Sequence, residues 1–323
     1  MAQNKRYVFM PTNDYTPSFF FKNGHVNTMY SSLFRKTKPL PYKRKRITTL
    51  DDDFLDIDLL ENGSDKIVIL CHGLEGSSDS KYIQATAALL VKNGYAVAAM
   101  NYRFCSGEIN RQLITYHSGR TEDLHAVINT VLPDYNAVYL LGFSLGGNLV
   151  LKYNGDGIYP LNPKIKASVA ISVPVDLHGS SIKLQDLQNR LYTWRFLYTL
   201  SNKVRLKHQQ FPDKVPIDRL KKVKKLIDFD EYFTAALNGF KNAQDYYAKA
   251  SSKPFLKSIS RPTLLINALD DPFLSESCFP NVEAQENPNF SLITPRYGGH
   301  VGFVSTGKYY WSELEILRFL EEY

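Results

Sequence analysis

The chain has little cysteine: Cys71, Cys105 and Cys278 are the three in 323 residues. An odd, sparse set without metal-ligand spacing argues against a disulfide framework or a cysteine metal site. It fits reduced thiols in a cytoplasm. No apolar run approaches the roughly 20 residues that a bilayer-spanning helix needs. No long apolar core follows Met1-Ala2-Gln3-Asn4-Lys5-Arg6-Tyr7, so no signal peptide is expected. Internal repeats and low-complexity linkers are missing too. What is there is ordinary for a globular protein, with 44% hydrophobic residues. The length suits one large α/β domain with an insertion, or two smaller domains.

Acidic charge is in deficit, and the formal net charge is +7. Nine Lys or Arg and two Asp fall between Lys203 and Lys225, and a second basic run is Lys43-Arg44-Lys45-Arg46. The plain reading of both is solvated surface. The sharper one is peripheral contact with an anionic membrane, or an acidic substrate. No recognised motif accompanies the charge, so nucleic acid is not an expected partner.

Apolar periodicity alternates between strand and helix. Lys45 to Leu50 and Phe54 to Leu60, split by Asp51-Asp52-Asp53, read as an antiparallel hairpin. Buried-strand runs follow at Ile67–Leu70, Tyr95–Met100, Ala137–Leu141, Ala167–Val173, Thr263–Asn267 and Phe290–Thr294. Helical patterns cover Tyr82–Val91, Thr121–Leu132 (with Thr121 as N-cap) and Tyr309–Glu322. This predicts an α/β fold, a mostly parallel sheet with helices on both faces. Residues 1–175 and 255–323 form its core, with 1–41 as a pattern-poor segment wrapping the surface. Residues 176–254 break the alternation and read as an inserted helical cap. Leu220, Val223, Leu226 and Ile227 have helical spacing, which predicts a helix with an apolar stripe.

Chemistry enters at Gly142-Phe143-Ser144-Leu145-Gly146, between a strand and a helical pattern. Gly-x-Ser-x-Gly in that setting makes a sharp turn that lifts a serine oxygen clear of the sheet. A serine needs a base and an acid to orient the base, in the chain order Ser, Asp or Glu, His. Only His178, His208 and His300 follow Ser144, and the first two fall in the cap. His300 lies in the glycine-rich Tyr297-Gly298-Gly299-His300 after the last strand. The acid is one of the neighbours Asp270 and Asp271; counting from the strand favours Asp271 and leaves Asp270 as a loop or capping residue. Oxyanion donors are expected from the backbone N–H of Leu145 and of Leu74, in His72-Gly73-Leu74-Glu75-Gly76. His72 reads as a loop brace. The set requires no cofactor or metal.

These segments, in this order, resemble the α/β-hydrolase superfamily. Asn23-Gly24-His25-Val26-Asn27-Thr28, Leu74 to Tyr82, and Tyr116 to Leu124 are similar to signature stretches of its YheT-like branch (the AB hydrolase 4 family). So are Asp228-Phe229-Asp230, Ala250-Ser251-Ser252 and Asp270-Asp271-Pro272-Phe273. The branch includes fungal medium-chain ester synthases and animal ABHD1/2/3-like lipid hydrolases. The resemblance implies an α/β-hydrolase fold and a serine esterase acting on short- or medium-chain acyl or lipid esters. Acyl transfer to an alcohol, a peptidase, and a non-catalytic binding protein on the same scaffold are the competing expectations. His25 and His117 precede Ser144 and are assigned structural or pocket-lining roles.

Overall fold

The computed structural model describes residues 14–323. Residues 1–13 of the expected wrapping segment lie outside the described residues. The chain enters through α1 (Gly24–Leu33) and a hairpin of β1 (Lys43–Thr48) and β2 (Phe54–Leu60). Alternation then runs β3 (Lys66–Cys71), α2 (Lys81–Lys92), β4 (Ala96–Asn101), α3 (Thr121–Val131), β5 (Ala137–Phe143), α4 (Leu145–Gly155) and β6 (Ile165–Ile171).

After β6 the chain is helical up to β7. It forms α5 (Leu177–Lys183), the long α6 (Arg190–Gln210), α7 (Leu226–Phe229), α8 (Ala235–Leu237) and α9 (Ala243–Ala250). A π-helical turn, Asp230–Thr234, joins α7 to α8. The core resumes with β7 (Thr263–Ile266), α10 (Asn281–Glu286), β8 (Phe290–Ile293) and α11 (Trp311–Glu321).

The sheet has eight strands in the order β1-β2-β4-β3-β5-β6-β7-β8. From β4 to β8 all neighbours are parallel; β1 and β2 pair antiparallel at the edge. Strand periodicity of two splits the apolar residues between two faces. Val68, Leu70, Leu141 and Ile171 pack under α2 and α11 through Ile83, Leu90, Ile316 and Phe319. Ile67, Ile69, Val138 and Leu140 pack under α3 and α4 through Leu124, Val127, Leu149 and Val150. Both faces are therefore covered, which is why the parallel strands read as continuous apolar runs.

Three local expectations are corrected. Residues 1–41 were read as poor in pattern, yet α1 forms within them, with Asn23 Oδ1 accepting from the Val26 amide as N-cap. Its buried positions are Gly24, Asn27 and Thr28. They are small or polar, so a search for apolar periodicity passes over them. Thr121 is the first residue of α3 and Arg120 its N-cap position, with no side-chain cap bond. The continuous helix over Leu220 to Ile227 does not form. A 3₁₀ segment ends at Lys222, and extended backbone at Val223 and Lys225 separates it from α7. Leu220 and Val223 still pack inward, against the cluster of Leu200, Val204 and Phe233. Their spacing serves this packing even without a continuous helix.

The turn from β5 into α4 leaves no room for side chains. A Cβ on Gly142 would meet the carbonyl of Gly146, and one on Gly146 the carbonyl of Cys71. Gly146→Ala is expected to destabilise the fold by about 1–3 kcal/mol, the usual range for overpacking. Urea denaturation of parent and variant measures it, and an unchanged midpoint would refute the packing argument.

Candidate active site

Ser144 stands between β5 and α4 with φ +52, a left-handed conformation that is strained for a residue with a side chain. Its amide donates to the Ile171 carbonyl at 2.8 Å, which fixes the turn to β6. The strained backbone presents Oγ to His300, whose Nε2 lies 2.9 Å away. The other ring nitrogen, Nδ1, is 2.9 Å from Asp271 Oδ2 and 3.2 Å from Oδ1. Asp271 is also held by the Phe273 amide at 2.9 Å. The Phe273 ring stands 4.2 Å from the imidazole, centroid to centroid.

The neighbouring aspartates divide two tasks. Asp271 meets the imidazole; Asp270 accepts from the Gly299 amide at 2.8 Å and holds the loop. Burial and the adjacent Asp271 push the Asp270 carboxyl up to about 6, against the pull of the Gly299 amide. The His300 loop is held from the N-terminal side as well. The His300 amide donates to Thr28 Oγ1 at 2.8 Å, and Thr28 Oγ1 donates to Gly24 O at 2.7 Å. The Val304 amide donates to Asn27 Oδ1 at 2.9 Å, and the Val301 amide to Ser172 Oγ at 2.9 Å. Thus Asn27 and Thr28, two positions of the Asn23–Thr28 stretch, support the histidine. The sequence marked that stretch as a signature without revealing its task.

Leu145 opens α4, so its amide is among the first helical N–H groups, which have no intrahelical acceptor. Leu74, in the loop after β3, borders the same cavity as Leu145. The flanking amides are occupied: Gly73 N–H donates to the Tyr82 hydroxyl at 2.8 Å and Glu75 N–H to the Tyr116 hydroxyl at 3.0 Å. The Leu74 amide between them has no acceptor among the described residues. His72 is buried with both ring nitrogens engaged, Nδ1 on Gly73 O at 2.7 Å and Nε2 accepting from the Tyr102 amide at 3.3 Å. Burial depresses its pKa to about 3, so it is a neutral brace.

Ser144, His300, Leu74 and Leu145 border one cavity of about 160 Å³. Its walls are mostly apolar and include Leu184, Phe196, Leu200 and Val204 from the helices after β6, with Phe229, Phe233 and Leu237. A cavity of that size takes up a small apolar ligand or a short chain. His117 lines it, and burial depresses its pKa to about 3. His25 lies outside, its ring stacked on Tyr192 at 5.8 Å. Of the nine basic residues between Lys203 and Lys225, Lys203 and Lys207 turn inward and line the cavity. The other seven remain exposed.

Two further signature stretches meet behind the serine. Asn148 of α4 is fully buried and donates through Nδ2 to Ser118 O at 3.1 Å and Ala250 O at 2.8 Å. It accepts from the Ser252 amide at 2.8 Å. Gly119 abuts Ala250 so closely that a Cβ would lie 2.7 Å from its Cα. One asparagine on the serine's own helix thus clamps two distant loops.

Asp230, in the π-helical turn, also lines the cavity. It accepts from Thr234 Oγ1 at 2.6 Å and the Tyr247 hydroxyl at 2.7 Å, yet burial pushes its carboxyl up to about 6. A native pKa above the unfolded value makes ionisation destabilising. The penalty is absent at about pH 4 and grows as pH rises through the native value. Asp230→Asn is therefore expected to gain in melting temperature over the parent as pH rises from about 4 to about 7. A difference that stays flat over that range would contradict it.

Comparison with known proteins identifies the family and the fold. A family model described as alpha/beta hydrolase fold matches residues 66–304. YheT of Escherichia coli (strain K12) is 33% identical over 308 residues, 92% of this chain and 88% of that protein. Human "Phospholipase ABHD3" is 31% identical over 305 residues, 91% of this chain and 74% of that protein. An esterase of Pyrococcus furiosus shares the fold with a TM-score of 0.61 at 19% identity, covering 89% of this chain and 95% of its own. No helix of the described residues is long and apolar enough to cross a membrane. The chain belongs to the α/β-hydrolase fold family, in its YheT-like branch.

Proposed function

We propose that this hydrolase is a cytoplasmic serine esterase that forms an acyl-enzyme on Ser144. The observation that carries the reading is the unbroken relay from Ser144 Oγ to His300 Nε2 at 2.9 Å and from His300 Nδ1 to Asp271 at 2.9 Å. His300 takes the serine proton as Oγ attacks the ester carbonyl, then returns it to the leaving alcohol. Asp271 accepts from Nδ1–H and holds the tautomer that leaves Nε2 free to act as base. The amides of Leu74 and Leu145 receive the negative oxygen of the tetrahedral intermediate. Water, activated by His300 in turn, releases the acyl group. Every step uses side chains and backbone of this chain.

The helices between β6 and β7 act as the cap, and their apolar side chains supply the acyl pocket. The lining favours a short- or medium-chain acyl group over a polar one. ABHD3 is named a phospholipase, and the related human ABHD2 a monoacylglycerol lipase. Both names suit an acyl ester as the substrate class. The exposed lysines and arginines from Arg205 to Lys225 give the cap a cationic outer face that suits peripheral contact with anionic lipid. Three free cysteines support the cytoplasmic setting.

Hydrolysis of p-nitrophenyl butyrate and octanoate tests the reading. Ser144→Ala is expected to lower kcat by about 10⁴-fold or more, since removing the nucleophile leaves only binding and the oxyanion hole. A fluorophosphonate probe should label the parent and not the variant. Equal turnover by both proteins would sink the assignment. An unreactive parent would favour a binding protein on this scaffold.

A further inference from the structure

We propose that Glu75, Tyr116 and Lys203 form a latch that holds the Leu74 amide as an oxyanion donor and makes that placement depend on α6 being seated. The inference rests on the esterase reading above and deepens it.

Glu75 follows Leu74 directly. Its φ of +57 lies in the left-handed region, which a glutamate adopts only when its surroundings impose it. Three contacts with Tyr116 and Lys203 hold it there, together with the turn bond from the Gly76 amide to the Gly73 carbonyl at 3.1 Å. The Glu75 amide donates to the Tyr116 hydroxyl at 3.0 Å, and that hydroxyl donates back to Glu75 Oε1 at 2.6 Å. Lys203 Nζ donates to the same oxygen at 2.8 Å. The Glu75 side chain is only 7% exposed, and Lys203 is the one cation within ion-pair distance of it among the described residues.

Lys203 belongs to α6, in the insertion, whereas Glu75 belongs to the core loop after β3. Among the described residues, Glu75 is the one carboxylate within ion-pair distance of Lys203. Its remaining neighbours hold it without competing for its charge. Cys105 Sγ lies 3.2 Å away, and burial keeps that thiol neutral by pushing it up to about 11. The rings of Tyr116 and Phe104 lie 5.1 and 5.3 Å from Nζ.

The consequence concerns the amide one residue back. The Gly73 N–H is tied to Tyr82 and the Glu75 N–H to Tyr116, so the free Leu74 N–H is carried on a segment clamped at both ends. Loss of the Glu75 clamp lets that residue relax to an ordinary φ and swings the Leu74 amide away from the position it must hold. Lys203 closes the clamp from α6. The cap then does more than shape the pocket: its seating completes the oxyanion hole. Glu75, Tyr116 and Lys203 act through Leu74 and are positioning residues.

Steady-state kinetics on p-nitrophenyl butyrate test the latch with Lys203→Met, Lys203→Arg, Tyr116→Phe and a surface control, Lys249→Met. A displaced oxyanion donor should act on the transition state, so Lys203→Met and Tyr116→Phe are expected to lower kcat about tenfold or more while KM changes less than about threefold. Their inactivation rates by a fluorophosphonate should fall in parallel. Lys203→Arg keeps the charge and should recover most of the loss, and Lys249→Met should match the parent. Tyr116→Phe removes a single oxygen, so it decides the matter if Lys203→Met does not fold. Variants within about twofold of the parent in kcat, or a loss confined to KM, overturn the latch while leaving the esterase reading intact. A parent that neither turns over ester nor takes up the probe at Ser144 overturns both.

Discussion

The close approach of α4 to the ends of β3 and β5 is the constraint on which the rest depends. Backbone packs on backbone there, with Gly142 against Gly146 and Gly146 against Cys71. Only residues without a Cβ permit it. The approach forces Ser144 into a left-handed conformation, and that conformation presents its Oγ. The same approach puts the N-terminus of α4 beside the serine, so the Leu145 amide comes with the turn. The presented serine hydroxyl and the helix-start amide beside it are thus consequences of a single packing event.

Everything else in the site is brought to that point from far along the chain. His300 arrives on a loop held by Thr28 and Asn27 of α1 on one side and by Asp270 on the other. Asn148 binds loops whose residues are 30 and 102 positions away. Strain accompanies these contacts. Glu75, Phe104, Ser144, Ser172, Val301 and Phe303 all have positive φ without being glycine. Such conformations survive only where surrounding packing and hydrogen bonds overdetermine them. Their concentration in the loops at the ends of the strands is how a rigid sheet carries a strained site.

The helical segment between β6 and β7 illustrates how one basic run can divide between inside and outside. Read as a string, Lys203 to Lys225 is a uniform cationic run. Folded, Lys203 pairs with Glu75, and Lys207 turns inward to donate to the Asn110 carbonyl at 2.8 Å. Arg205, between them, and the six basic residues after Lys207 face outward. Charge counted along a sequence cannot separate the two groups, because helix phase and the partner's position decide which ammonium is buried. The apolar positions Leu220 and Val223 make the same point. Their spacing suited a helix, but the chain breaks between them and α7, and they pack inward all the same.

The sequence by itself determined the alternation of strands and helices, the turn at Ser144 and the order of serine, aspartate and histidine. Each is encoded locally, by apolar period, glycine placement or order along the chain. Choosing between Asp270 and Asp271 needed the loop's path, since adjacent residues differ only in which way they point. The task of α1 was hidden because its buried face is Gly24, Asn27 and Thr28, residues that carry no apolar signal. The bond between Lys203 and Glu75 joins residues 128 positions apart, and only tertiary structure brings them together. Local patterns fix what each segment is; the close packing of distant segments fixes which atoms meet.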